Sequence, residues 1–423
     1  MKKFLSILLI IMLAVSLGAC DTEETIGDEN ESENGSIGEL KPENGAKLVT
    51  WESEGPELEF LKYAAQEFEQ EYGVEVTVEP VSHTDALKKL TTDGPAGVGA
   101  DVFAAPHDKL GEYVATGLIR ENDITSERVN KDFMKAAATG VTFDGKVYGY
   151  PVGIETYALF YNKDLVEEVP ETYEEIIEFA KGYNNTSKNE YALMWDVGNA
   201  YFSHCFIAGN GGYIFGKGGT DKDDLGLNTD AALEGAEFMV SLKEILPLNS
   251  ADTTYQIMDG LFTEGKAAMI INGPWAVQNY KDAGLNFGVA VLPKLPGGKH
   301  SASFSGIRTM HVSAYTQYPK ASKLFAQFLI SDEMLLKRFE MTSQIPPVIK
   351  LMEEDIIKND PIVSAFLEQA QYAVPMPSIP QMGVVWEPYG ASLSAMWNGD
   401  LSVKEALDNA VQTIEEAIES QGQ

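Results

Sequence analysis

Beyond residue 45 the apolar positions of the chain follow first one period and then another. Lys47-Leu48-Val49-Thr50-Trp51 is a short apolar run of strand length. Leu58, Leu61, Ala65 and Phe68 then recur at three- and four-residue spacing, the inward stripe of an amphipathic helix. Gly73 follows where a helix stops in the left-handed conformation. Val74, Val76 and Val78 alternate, which turns one face of a strand inward. Strand, helix and strand in such short order make a βαβ unit, so a parallel sheet with helices packed on it is predicted. Ligands of such sheets bind beyond the carboxyl ends of the strands, which makes Trp51 to Gly55 a candidate ligand-contacting loop on geometry alone.

The remaining chain alternates helical and strand-like stretches with turns at Gly and Pro, without a repeat period or a low-complexity interruption. It exceeds the ~250–300 residues that one hydrophobic core organises, so two domains are expected. No single linker separates two consecutive domains, which fits two lobes between which the chain crosses more than once.

The first residues carry a different pattern. Lys2 and Lys3 precede an uncharged apolar run, Leu5 to Leu13, which is too short to span a ~30 Å hydrocarbon core as a helix. It ends at Leu17-Gly18-Ala19-Cys20, which has the form of a lipobox. Residues 1–19 are read as a signal peptide and Cys20 as the lipid attachment point. From Asp21 to about Gly45 the chain is Glu, Asp, Asn, Ser and Gly with almost no large apolar side chains. That composition cannot offset its ordering entropy, so residues 20–45 are expected to form a lipidated, disordered acidic tether. The expected location is the extracytoplasmic face of the cell membrane.

Only Cys205 accompanies Cys20, so no internal disulfide is expected and the core alone must hold the fold. The formal charge of −33 opposes nucleic acid and tight adsorption on anionic lipid, both of which are negative. No Gly-x-Ser-x-Gly elbow, His-Glu-x-x-His or Cys/His cluster with metal spacing is present, and Gly209 to Gly219 lacks the Lys-Ser/Thr ending of a P-loop and reads as a surface loop. The five His are scattered and read as structural or solvated. No catalytic group, metal or cofactor is expected.

His107-Asp108, Tyr161-Asn162-Lys163-Asp164-Leu165, Asn272-Gly273-Pro274-Trp275-Ala276 and Ile379-Pro380-Gln381-Met382 resemble segments of the maltose/maltodextrin-binding proteins among the family 1 extracellular solute-binding proteins. Gly211-Gly212-Tyr213, Val291-Leu292-Pro293 and Asp252 to Tyr255 add weaker support. The resemblance runs in order from about Lys47 to about Ile418. It implies an α/β, two-lobed periplasmic-binding-protein-like fold with an interlobe cleft and a hinge of several crossings. The lobes would be about 46–153 with 309–354, and about 157–305 with 360–423. It further implies a monomeric receptor of an ABC importer. Such a receptor captures maltodextrin or a related oligosaccharide by cleft closure and delivers it to membrane permease subunits. The competing readings are another oligosaccharide or a polyamine on the same fold, a secreted glycoside-active enzyme, and a sugar-binding lipoprotein without a transporter.

A sugar requires planar polar groups for its hydroxyls and aromatic surfaces for its C–H faces. By the resemblance, Asp108, Lys109 and Glu155 would bond hydroxyls, with Glu54 beside them. Tyr201, Tyr255, Trp275 and Trp386 would supply stacking faces. Asp108 could equally cap a helix starting at Lys109, and Trp275 or Trp386 could be core aromatics. The departures are specific. A family Trp two positions before His107 is Ala105, an Arg beside the Asp is Lys109, an acid is replaced around Asn199, and an Arg after the last Trp falls near Gly390. Lys109 keeps the charge of that Arg but loses its bidentate fork. The changes preserve the class of ligand better than its identity.

Overall fold

The computed structural model describes residues 40–421. Cys20, the signal segment and most of the tether lie outside the described residues. Among those described, no helix is long and apolar enough to cross a membrane.

The predicted βαβ unit is present. Its first strand runs Lys47–Glu52, one residue beyond the apolar run, and the helix Pro56–Tyr72 follows. That helix opens with Pro56, whose missing N–H costs nothing in a first turn, and stops at Gly73 with φ 68°. The expected stripe Leu58, Leu61, Ala65 and Phe68 is buried, widened by Phe60 and Ala64. It packs on the strand Glu75–Pro80 and on a later helix, Asp332–Thr342.

The strands form two larger sheets. In the first, the strands Glu75–Pro80, Lys47–Glu52 and Val102–Pro106 are parallel neighbours. The strand Phe304–Val312 runs antiparallel beside Val102–Pro106, pairs on its other edge with Tyr150–Glu155, and takes the short strand Val374–Pro375 at its start. The second sheet has the order Phe287–Ala290, Ala158–Asn162, Ala267–Asn272, Tyr191–Met194. Its last two strands are parallel and its other pairs antiparallel. Ala267–Asn272 is buried at every residue, as a central strand covered on both faces must be.

The two sheets are the cores of two α/β lobes, and the chain passes between them repeatedly. Tyr150–Glu155 and Ala158–Asn162 are successive strands in different sheets, separated only by Thr156 and Tyr157. A second passage ends at Phe304, so residues 304–308, expected in the second lobe or at its border, pair in the first sheet. A third runs through 349–360 to the helix Pro361–Gln369, which packs on the second sheet. The passages are tied side by side. Thr156 Oγ1 lies 2.8 Å from Ser303 Oγ, and Gln369 Nε2 donates to both Ser303 Oγ and the Ser301 carbonyl at 3.1 Å.

Two expectations hold only in part. Of the loop Trp51 to Gly55, Ser53 and Glu54 line a cavity, but Trp51 does not. Strand alternation turns it away, into a separate cluster with Leu90, Phe103 and Tyr113, where its indole N–H donates to Glu79 Oε2 at 2.8 Å. Gly209 to Gly219 is not simply a surface loop. Gly211 ends the helix Ala200–Asn210 with φ 106°, and a Cβ on Gly212 would lie 2.6 Å from Ile207 and 2.8 Å from Ala232. Glycine is present there for close packing.

Three of the five His are built into the body. His107 accepts the Ile307 N–H at Nδ1 and donates from Nε2 to the Met376 carbonyl, both at 3.1 Å. His204 bonds the Tyr389 hydroxyl and His311 the Thr309 hydroxyl, and burial lowers each to about 3. They are neutral structural groups at neutral pH.

Candidate functional site

The parallel strands of both sheets deliver their carboxyl ends to one cavity of about 1080 Å³. In the first sheet, Ser53 and Glu54 follow the strand Lys47–Glu52, His83 follows Glu75–Pro80, and Asp108 and Lys109 follow Val102–Pro106. In the second, Asp196 to Phe202 follow Tyr191–Met194, and Trp275 follows Ala267–Asn272. The rule for open α/β sheets therefore applies twice, with the two sets of strand ends lining the same cleft.

All eight residues singled out from the sequence, Glu54, Asp108, Lys109, Glu155, Tyr201, Tyr255, Trp275 and Trp386, line this cavity. Their settings differ. Glu54 is exposed at the rim, Asp108 and Glu155 are buried, and Lys109 is half-buried. Asp108 lies in the short 3₁₀ turn His107–Lys109 and makes no cap; instead its Oδ2 accepts the Trp386 indole N–H at 2.9 Å. That bond orients both side chains.

The aromatics form a continuous wall. Trp275 packs at 6.2 Å against both Tyr201 and Phe202, and Tyr255 lies nearly parallel to Phe202 at 6.3 Å. Tyr201 also stacks on Phe304 at 5.9 Å, and Trp386 meets Phe304 edge-on. Trp275 and Trp386 are half-buried, so neither is a core residue. The Tyr201 hydroxyl is buried and has no partner among the described residues. Burial, then the charges of Glu155 and Asp108, hold it well above the usual tyrosine range, so it stays a protonated donor. Burial beside Asp259 pushes Tyr255 up to about 12.

Trp275 owes its place to the residue two before it. A Cβ on Gly273 would lie 2.1 Å from the Trp275 ring, so only glycine lets the indole lie across the backbone. The Gly273 backbone, at φ −115°, would itself accept alanine. Gly273→Ala should therefore leave the melting curve close to that of the unaltered chain while displacing the indole. The check is quenching of tryptophan fluorescence by an added sugar, which should need at least tenfold more ligand.

The departures also find structural roles. The Asn199 side chain accepts the Tyr201 N–H at 3.0 Å and caps the helix Ala200–Asn210. Gly390 lies where a Cβ would sit 2.9 Å from the Gly198 carbonyl, a close helix-to-loop approach.

Sequence reasoning missed the charges under the cleft floor. Glu52, Arg308 and Arg338 are at most 3% exposed. Arg308 Nε donates to Glu155 Oε1 at 2.9 Å and Nη1 to Glu52 Oε1 at 3.2 Å, while Arg338 Nη2 donates to Glu52 Oε2 at 3.3 Å. Burial works against the Arg308 charge, but Glu155 and Glu52 more than compensate and raise it above its ordinary value. Glu57, raised by burial, accepts from Gln344 Nε2 at 3.0 Å. Ser53 Oγ accepts the His83 backbone N–H at 3.0 Å and lies 2.8 Å from His83 Nδ1. Burial, with Arg308 and Arg338 nearby, lowers His83 well below the usual range, so the imidazole is neutral. A signal existed: Glu52 ends an apolar run and Arg308 interrupts Phe304–Val312, and charges in such strands need partners.

This combination of aromatic faces, paired carboxylates and fixed donors suits noncovalent capture of a polyhydroxylated ligand. Comparison with known proteins agrees. Residues 63–365 match the family described as bacterial extracellular solute-binding protein. The galactooligosaccharide-binding protein of Bacillus subtilis (strain 168) is 33% identical over 99% of this chain and 98% of its own length. A maltooligosaccharide ABC transporter solute-binding lipoprotein of Streptococcus pneumoniae (strain ATCC BAA-255 / R6) is 33% identical over 85% of this chain and 86% of its own. A crystal structure of a cyclo/maltodextrin-binding protein complexed with maltotetraose is 40% identical and superposes with TM-score 0.75, covering 88% of this chain and 97% of the other.

Proposed function

The chain belongs to the bacterial extracellular solute-binding proteins, and on that premise we propose that it is the receptor of an ABC sugar importer, taking maltodextrin-type oligosaccharides. The observation that carries this reading is the aromatic wall of Tyr201, Tyr255, Trp275 and Trp386 facing the carboxylates and cation of the opposite lobe. Sugar C–H faces would lie on the rings, while Asp108, Lys109, Glu155 and the unpartnered Tyr201 hydroxyl take hydroxyls. Glu54, exposed at the rim, would meet only the end of a longer chain.

Contacts from both lobes favour the closed arrangement, because a ligand shifts such an equilibrium by its differential affinity for the two states. The moving bodies are about 46–153 with 304–354 and about 157–303 with 360–423, hinged at the tied passages beside Thr156 and Ser303. The captured sugar is released unchanged to permease subunits, and the receptor performs no chemistry on it. It acts as a monomer, anchored through a lipid on Cys20 to the extracytoplasmic face of the membrane.

The cleft lining carries Glu54, Glu57, Asp108, Glu155 and Asp196 against only Lys109 and Arg308, so its charge keeps a polyamine as a rival cargo, although Glu155 is already paired with Arg308. Similarity to the galactooligosaccharide-binding protein favours a second reading in which the cargo is a galactooligosaccharide. Isothermal titration of the full-length chain decides among them, using maltose, maltotriose, longer maltodextrins, a cyclodextrin, a galactooligosaccharide and spermidine. Saturable binding of the α-glucans with a length preference is expected. Binding of the galactooligosaccharide alone would replace the first reading by the second, and binding of spermidine alone would overturn both.

A further inference from the structure

Arg308 is a cation set between Ile307 and Thr309 in the strand Phe304–Val312. Two carboxylates hold it through different nitrogens. Nε is bonded to Glu155 Oε1, and Nη1 to Glu52 Oε1 with Ser53 Oγ 3.5 Å away. Glu52 is fixed in turn by Arg338 Nη2 at 3.3 Å and by the Ser53 N–H at 2.8 Å. A guanidinium presents five N–H donors in one rigid plane. The bonds engage Nε and Nη1, and among the described residues Nη2 has no acceptor within hydrogen-bond reach. Glu155 uses Oε1 in the same way and leaves Oε2 without a donor. Both side chains line the cleft.

A charged donor and a charged acceptor thus stand side by side, each immobilised through its other atoms. Neighbouring hydroxyls of a sugar ring offer the complement: one oxygen can accept from Nη2 while the next O–H donates to Oε2. Resting on the sugar-binding reading above, we infer that Arg308 is a specificity-determining binding residue that forms, with Glu155, a rigid two-point clamp on a vicinal diol of the captured oligosaccharide. Because buried ion pairs already hold the clamp, little side-chain entropy is lost when sugar arrives. The clamp also discriminates: a ring with an ammonium at the first of the two positions would face the guanidinium, so amino sugars are rejected.

The test compares the full-length chain with its Arg308→Lys variant, which keeps a cation between Glu52 and Glu155 but lacks the planar fork. Both are titrated with maltotriose and with its monodeoxy analogues. Arg308→Lys should bind maltotriose roughly 10–100-fold more weakly, the range for losing one hydrogen bond to a charged group. One monodeoxy analogue, lacking the hydroxyl that Nη2 serves, should bind both proteins equally. A structural arginine would weaken every analogue by the same factor, and that result, or unchanged maltotriose binding, would overturn the inference. If the variant does not fold, a crystal structure of the unaltered chain with maltotriose decides. A sugar oxygen within roughly 3.2 Å of Nη2 supports the clamp, and none there overturns it. Failure of the unaltered chain to bind any sugar would instead sink the sugar-binding reading, and this inference with it.

Discussion

Replacing Trp275 by alanine should weaken maltodextrin binding by roughly 30–150-fold, about 2–3 kcal/mol, without unfolding the chain. The indole is the centre of the aromatic wall, braced at 6.2 Å by both Tyr201 and Phe202. Removing it takes away a stacking face and also the support of two neighbouring rings. The fold should survive because Trp275 is only half-buried and faces the cavity, whereas its neighbours Pro274 and Ala276 carry the local packing. Titration calorimetry of Trp275→Ala and Trp275→Phe, alongside their melting curves, separates the two effects. The phenylalanine variant, which keeps a smaller face, should fall between. If the alanine variant bound maltodextrin like the unaltered chain, the stacking role would be wrong.

Replacing Glu52 by alanine should instead damage the fold, by about 3–5 kcal/mol. Its carboxylate is fully buried and accepts from Arg308, Arg338 and the Ser53 N–H. Without it, two buried guanidinium groups lose a counter-charge, leaving Arg338 with Gln344 and the face of Phe60 and Arg308 with Glu155. The comparison that isolates burial is Glu75→Ala on the same sheet. Lys47 and Glu75 approach to 2.6 Å, closer than either Glu52 pair, but both side chains are more than half exposed. Water and entropy reduce such a pair to ~0–1 kcal/mol. Urea denaturation midpoints should therefore fall steeply for Glu52→Ala and barely for Glu75→Ala. Equal losses would mean that the buried network contributes no more than a surface pair.

Much of the fold was legible because it rests on periodicity. The stripe Leu58, Leu61, Ala65 and Phe68, the stop at Gly73 and the alternation after it depend only on neighbours in the chain, and each recurs in the structure. Glu155 was legible through the family resemblance, as a carboxylate for sugar hydroxyls. Trp51 misled for a local reason: alternation along a strand decides which face a side chain takes, and the pattern alone did not say which face met the ligand. The roles of Asp108 and Trp386 were separated in the sequence, one as a hydroxyl ligand and the other as a stacking face. The structure joins them by a hydrogen bond across 278 residues.

By itself the sequence determined the strand and helix periods, the family through ordered motifs from His107-Asp108 to Ile379-Pro380-Gln381-Met382, and the eight side chains that gather in the cleft. These depend on short-range pattern or on the order of segments. Tertiary structure alone decided that Arg308 would lie between Glu52 and Glu155, 256 and 153 residues away, and that Gly273 would yield its space to an indole. A buried charge acquires meaning only from the carboxylates packed against it, which arrive from strands distant in sequence. The missing Cβ of Gly273 acquires it only from an indole two residues on, which Tyr201 and Phe202 brace across the backbone.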